Sequence, residues 1–382
     1  MERHASERGF ALAGAIFALV VIASLIAGAF FAARQEINIG RSSATYEKAF
    51  AAAETGLDYT VATWNTATFN SLAVGDSATT SGTVPSSGGS WTAVVVRFNS
   101  EVFLVRATGL DPSGAAQRQL ATLTRLQRLI MNVNAGLTTR GNLKLGGSSF
   151  IDGYDDAPDD WNCPSTSVQK PGVVTKDSAS ITTSGCNNWS CVQGVPKIQQ
   201  DPTITDSTFY KYGEVDYNEL AQMATLQLPG GQTWTQVQPS DTLQVPSLVQ
   251  SCKSWDQKNW GEPWRSTGYV AACTGYFPII HVSGDAQMSN GRGQGILLVD
   301  GNLSVQGGFE FYGPVVVRGQ FDTQGVGNHF NGGVLAANAS LQTSDVLGNA
   351  TVTYSSCAID RALSNAVPAR QFARRAWADL VQ

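Results

Sequence analysis

The chain has 382 residues, of which 14% are charged and 39 are glycine, and its net charge is −5. That length suits about two or three domains, and so few charges beside so much glycine, where about 25% and about 7% are usual, point to an exported, turn-rich β protein. The body holds no basic block, which excludes nucleic acid as an expected partner.

The first element is apolar. Phe10 to Ala33 runs for 24 residues without a charge, after a head of nine. As a helix it spans about 36 Å, enough to cross a hydrocarbon core of about 30 Å. A cleaved secretion signal has a shorter apolar region of about 7–15 residues, although Ala27-Gly28-Ala29 could serve as its cleavage site. From Tyr46 the apolar positions are Tyr46, Phe50, Ala53, Leu57, Val61 and Trp64, spaced by 4, 3, 4, 4 and 3. These trace one face of a helix. The spacing predicts one continuous helix over 10–64, some 80 Å long, with 10–33 crossing a membrane.

Arg8-Gly9-Phe10 resembles the prepilin peptidase site of type IV pilins and type II secretion pseudopilins, a short basic leader and Gly before Phe at the head of a long apolar helix. Tyr46 to Leu57, "YEKAFAAAETGL", is similar to the AFxAAExxL segment of PilX-type minor pilins and GspK-like pseudopilins. The resemblance covers residues 1 to about 130. It implies a cytoplasmic leader at 1–9, cleavage after Gly9 and methylation of Phe10. It further implies a single pass of the inner membrane with the N-terminus cytoplasmic, then a pilus, extracellular or periplasmic location. Other pilins and prepilin peptidase are the implied partners, with Gly14 and Glu54 as assembly positions. Major pilins carry a glutamate at the fifth mature position, which here is Gly14. Without that carboxylate a neighbour's terminal ammonium stays uncompensated, so Gly14 points to a tip or priming subunit rather than a bulk one.

Residues 65–90 are rich in Ser, Thr, Gly and Asn and are expected to form a loop. Trp91 to Leu110 gives two β-rich runs around Asn99-Ser100, and Ala115 to Gln127 is compatible with a third strand or a helix. A small antiparallel meander is therefore expected over 65–130.

A repeat follows. Segments at His281–Met288, Leu298–Val305, Val316–Thr323 and Leu335–Thr343 share a marker (Gly284, Gly301, Gly319, Asn338) stepping by 17, 18 and 19, and Thr138–Leu145 has the same cast with Gly141. Short apolar runs between Gly turns at that step suit a parallel β-helix, in which each coil buries its apolar residues on the next. A β-sandwich, with strands usually every 8–12 residues, fits less well. The stretch resembles the solenoid of bactofilin-like proteins. The expected fold is α+β: a long N-terminal transmembrane, pilin-like helix with a small antiparallel sheet, then a mainly-β parallel β-helix domain over 131–357 with an insertion at about 153–277. Val215 to Leu226 is the insertion's helix candidate, and a C-terminal helix is expected over 358–382, beginning near Pro368.

All six cysteines (Cys163, Cys186, Cys191, Cys252, Cys273, Cys357) lie past residue 160, and an even number in an exported chain suggests disulfides holding the insertion. Six cysteines allow about 15 pairings, and spacing does not choose among them. Asp152, Asp155, Asp156, Asp159 and Asp160 crowd one stretch, but without the spacing of a calcium loop, so calcium is only a weak candidate and no cofactor is expected. The histidines His4, His281 and His329 form no HExxH motif, no G-x-S-x-G elbow occurs, and no enzyme is expected. The expected role is a minor pilin-like or pseudopilin-like subunit that primes or caps an assembly and displays its β-helix, where it could meet a surface glycan or a host or abiotic surface. The alternative is a membrane-anchored or secreted β-helix adhesin or glycan-binding protein unrelated to pili.

Overall fold

The computed structural model describes residues 8–85, 87–127, 129–146, 148–164, 168–244, 249–336, 344–346, 349–372 and 377–379. Residues 1–7 of the expected leader and the repeat marker Asn338 lie outside the described residues. The fold is α+β, with one long apolar helix, a small antiparallel sheet and a large, mostly parallel sheet.

Helix α1 (Arg8–Ala62) runs unbroken for 55 residues. Residues 12–44 are exposed almost throughout, and from Ala49 onward one side of the helix is buried. Four antiparallel strands cover that side: β1 (Ser77–Thr83), β2 (Ser90–Arg97), β3 (Val102–Leu110) and β4 (Gln117–Leu126). Trp91, Ala93 and Val95 alternate inward on β2, as do Phe103, Val105 and Ala107 on β3, the period of two that a one-sided sheet requires. Strand β1 falls in the stretch expected to be a loop. Its residues alternate only between exposed and half-buried, so no apolar alternation marks it, and it pairs as an edge strand with β2.

The chain's end differs from the expected helix. The helix there is Ser356–Ala366, started by the Ser355 hydroxyl accepting from the Ala358 amide at 3.4 Å. Beyond Pro368 the chain becomes two short strands, Ala369–Gln371 and Trp377–Asp379, both antiparallel to β4. The free side of β4 offers unpaired backbone groups, and that pairing outweighs the helical pattern of the side chains.

The large sheet is built of turns stacked in parallel. Ile279 lies beside Ile296, Leu297 beside Val315, and Val315 beside Val334, which are steps of 17, 18 and 19 residues. The marker glycines stack: the Gly301 amide donates to the Gly284 carbonyl and the Gly319 amide to the Gly301 carbonyl, each at 3.0 Å. A second row pairs Met288, Val305 and Thr323, and a third pairs Phe311, Phe330, Val352 and Ile151. The runs Ile296–Val299 and Val315–Val317 are buried on both faces. Leu297, Val299, Val315 and Val317 enter the interior with Phe309, Phe311 and Phe330. Ile296, Leu298 and Val316 face the other way, into a second cluster. Strands buried on both sides read as continuous apolar runs, which is why these segments are so uniformly aliphatic. Each such side chain contributes about 1.5–3 kcal/mol on burial.

The order of turns in space is not the order in the chain. From Leu226 the stack rises through 279, 296, 315 and 334, and Val334 then lies beside Leu137. It continues from Leu137 to Val173 and from Val173 to Ile198. Much of 153–277, expected as an irregular insertion, therefore supplies turns of the stack itself. Residues 201–225 carry the chain back along its outer face as a strap. Phe209, Tyr212, Val215, Tyr217 and Leu220 of the strap join Ile296, Leu298, Val316 and Leu335 in one buried cluster, together with Ile359 and Ala362 of the last helix. The strap's helix is Tyr217–Gln222, shorter than the expected Val215 to Leu226, and opens on a reciprocal cap between Asp216 and Glu219. Three disulfides, Cys163–Cys357, Cys186–Cys191 and Cys252–Cys273, use all six cysteines.

Candidate functional site

Two regions of the chain have groups whose bonding capacity is not used within the fold, and they differ in kind. The first is α1. Gly9 and Phe10 lie in its first turns, and a methyl added at Gly14 would meet nothing within 4 Å. Leu12, Ile16, Phe17, Leu25, Phe30 and Phe31 are all exposed, so residues 12–33 form an apolar rod with no partner among the described residues. By length and composition this is the described helix able to cross a membrane.

The other half of α1 explains the "AFAAAE" residues physically. Ala49, Ala52, Ala53 and Gly56 stand at i, i+3, i+4 and i+7, and all four are buried. They form a groove into which the sheet settles. A Cβ on Gly109 of β3 would overlap the Ala53 amide and the Ala49 carbonyl, and one on Gly56 would lie 2.8 Å from the Trp91 ring. Small residues on both partners bring backbone against backbone. The buried stripe is rotated from the one expected: Tyr46 is exposed and Phe50 half-buried. Glu54 stays exposed beside Asp58, both bordering a notch with Phe50, Leu57, Leu120 and Gln371.

The second region lies on the stack, where the acidic stretch meets the loop after Trp260. The five aspartates are not gathered into one centre. The Asp155 carboxylate accepts from the Ser356 amide at 2.8 Å and hydroxyl at 2.6 Å, which ties this stretch to the last helix. Asp152 accepts from the Tyr154 amide at 2.9 Å, closing a local turn. Burial and the neighbouring Asp152 and Asp159 charges hold the Asp156 carboxyl above its usual range. Among the described residues no three His, Cys, Asp or Glu side chains converge as a metal would need.

Asp159 and Asp160, by contrast, border a cleft of about 390 Å³ shared with Trp264, Arg265, Glu310 and Tyr312. The loop that forms its wall is fixed from beneath. Glu262, fully buried, receives Arg292 at 2.8 and 2.9 Å and also accepts from the Trp264 and Val270 amides at 3.1 and 2.8 Å. Arg292 in turn lies 3.8 Å over the Trp264 ring. The indole donates to Glu310 Oε2 at 3.0 Å. Burial, and then the Glu310 and Asp159 charges, push the Tyr312 hydroxyl pKa up. Burial brings that of Arg265 down to about 10.

A third cluster locks the strap. The Tyr217 hydroxyl donates to Asp300 Oδ1 at 2.9 Å, and His281 bridges Asp300 Oδ2 at 3.1 Å and Gln227 Oε1 at 2.8 Å. Its groups are all paired with one another, and it fastens the strap helix to two successive turns.

Neither the cleft nor this cluster shows as a pattern in the sequence, because the members come from different turns, spread over 83 residues in the cluster and further in the cleft. The one available signal was the concentration of Trp and Asp in 152–264.

No protein-family model matches the chain, and no curated protein matches it. Among solved structures, the competence-associated pilin ComZ from Thermus thermophilus is similar at 12% identity, over 88% of this chain and 98% of that one, with a TM-score of 0.25. A likeness of that strength carries no functional weight.

Proposed function

We propose that the chain is a pilin-like structural subunit, a minor pilin or pseudopilin, that primes or caps a type IV pilus or related secretion pseudopilus. The observation that carries this is the division of α1, an apolar rod without partners up to about residue 33 and an Ala/Gly groove filled by the subunit's own sheet from Ala49. Such a rod is soluble only in lipid or against other apolar helices, and it serves each in turn: first as an inner-membrane anchor with its N-terminus cytoplasmic, then as the packing element of an assembly. Prepilin peptidase cleaves after Gly9 and leaves Phe10 methylated. Gly14 withholds the carboxylate that a bulk subunit would offer its neighbour, which favours a tip or priming position. The three-row stack is a parallel β-helix held outside the membrane as a rigid cap, and its work is contact rather than catalysis.

Mass spectrometry of the mature N-terminus tests this reading. N-methylated Phe10, absent in a Gly9→Ala variant, is the expected result. Mature protein beginning near Arg34, made without prepilin peptidase, overturns it in favour of a secreted adhesin.

A further inference from the structure

We propose that the cleft between the acidic stretch and the Trp264 loop binds a hexosamine unit bearing a free amine, at an end or branch of a surface glycan. The cleft is of the size that holds a single sugar ring, at about 390 Å³, within the range of roughly 300–1,000 Å³ usual for small-ligand sites. Its wall is rigid before any ligand arrives, because the Glu262–Arg292 pair and the Cys252–Cys273 bond fix the loop on either side of it. Binding there costs little ordering of the loop.

Three carboxylates, Asp159, Asp160 and Glu310, face the cleft beside the hydroxyls of Ser266, Thr267 and Tyr312. Glu310 uses only Oε2, toward Trp264 and Tyr312, and its Oε1 accepts no hydrogen bond among the described residues. Asp159 and Asp160 are exposed and have no hydrogen-bond or ion-pair partner among them either. The single cation of the cleft, Arg265, is already committed to the carbonyls of Glu262, Trp264 and Thr274 and to Gln294. Three carboxylates thus stand with spare acceptor capacity around a site whose one cation is already committed. The complementary ligand is rich in donors and positively charged. Hydroxyls of a pyranose and a protonated amine meet both conditions, and the amine gains further from the aromatic faces.

Trp264 supplies the other half of the fit. It is 38% exposed, although Arg292 already lies over its ring. An indole with accessible apolar surface beside carboxylates suits a sugar, whose C–H face is apolar and whose rim is polar. A peptide lysine would use the carboxylates but has no ring to match.

This inference rests on the pilin-like reading only in that it needs the stack to stand outside the membrane. Isothermal titration calorimetry on the full-length protein in detergent tests it apart from assembly, since titration does not require a pilus. A glucosamine oligomer is expected to bind saturably. Glu310→Gln and Asp159→Asn should each weaken it about tenfold, the loss expected for one charged hydrogen-bond acceptor. Asp159 is a surface residue, so that variant reads the site even where Glu310→Gln disturbs Trp264. Trp255→Ala, at an indole 68% exposed outside the cleft, should bind as the unaltered protein does. Absence of saturable binding overturns the proposal. So does affinity undiminished for the N-acetylated oligomer, affinity matched by oligolysine, or unchanged binding in both cleft variants.

Discussion

Leu137 and Val334 are direct neighbours across a parallel strand pair, although they belong to opposite ends of the domain in sequence. This pair is the joint between two runs of turns, one from Leu137 to Gln200 and one from Leu226 to Tyr354, each continuous within itself. Asp152 beside Thr353 repeats the joint in another row. The Cys163–Cys357 bond closes a separation of 194 residues just past it.

Removing that bond therefore weakens the joint more than either run. Cys163→Ser with Cys357→Ser is expected to cost about 2–5 kcal/mol. Thermal unfolding should drop for this variant and far less for Cys186→Ser with Cys191→Ser, whose bond spans only 5 residues. Equal losses for both pairs would show that the joint does not depend on the bond.

Glu262 and Arg292 form a buried pair, and losing one member strands the other. Glu262→Ala should cost about 3–5 kcal/mol. The double replacement of Glu262 and Arg292 by leucine should recover part of it, the Trp264 and Val270 amides still lacking their acceptor. Urea midpoints of the three variants measure this, and a double variant as unstable as Glu262→Ala counts against the account.

Gly109 sets how closely the sheet lies on α1. Gly109→Val forces the two apart and is expected to destabilise by about 1–3 kcal/mol or more. Trypsin should then cut sooner at Lys48, the residue just before the groove. Gly40→Ala is the comparison, because a methyl there meets nothing within 4 Å and alanine favours a helix by about 1 kcal/mol.

Recognising α1 and strands β2 and β3 needed only their local periodicities of 3.6 and two, since each packs one face on a near neighbour, whereas the pattern of β4 also allowed a helix. The step of the stack was equally legible, because Gly284, Gly301 and Gly319 sit where the backbones of successive turns touch. What the residues could not disclose was order. Nothing local to Leu137 says that its partner is Val334 rather than Ile279, since both offer the same aliphatic surface. Strand β1 and the strands after Pro368 were hidden for a related reason. Their place is fixed by an open backbone edge on β2 or β4, and an edge leaves little trace in side-chain pattern. The cleft joins Asp159 to Glu310 across the same joint, so it was invisible until the turns were in place.

Asp111 gives the turn between β3 and β4 a dependence on pH. Its carboxylate is held below the usual range first by the Ser113 hydroxyl and then by the Ala116 amide, both donating to it. A depressed folded pKa stabilises fully above the unfolded value of about 3.9 and loses that contribution as pH falls through the folded one. Asp111→Asn should therefore lower the denaturation midpoint at pH 7 and leave it nearly unchanged at pH 2–3. A difference that persists undiminished at low pH assigns the effect to shape rather than charge.

The strand Ala369–Gln371 lies on β4, so the sheet packed on the long helix is joined by a segment far along the chain from its first strands. Ribosomal synthesis thus delivers the first strands of that sheet some 250 residues before their final partner. A chain that stops before Ala369 leaves that edge of β4 unpaired. A copy that lacks the 369–371 strand thus presents a different surface along β4 from one that has it.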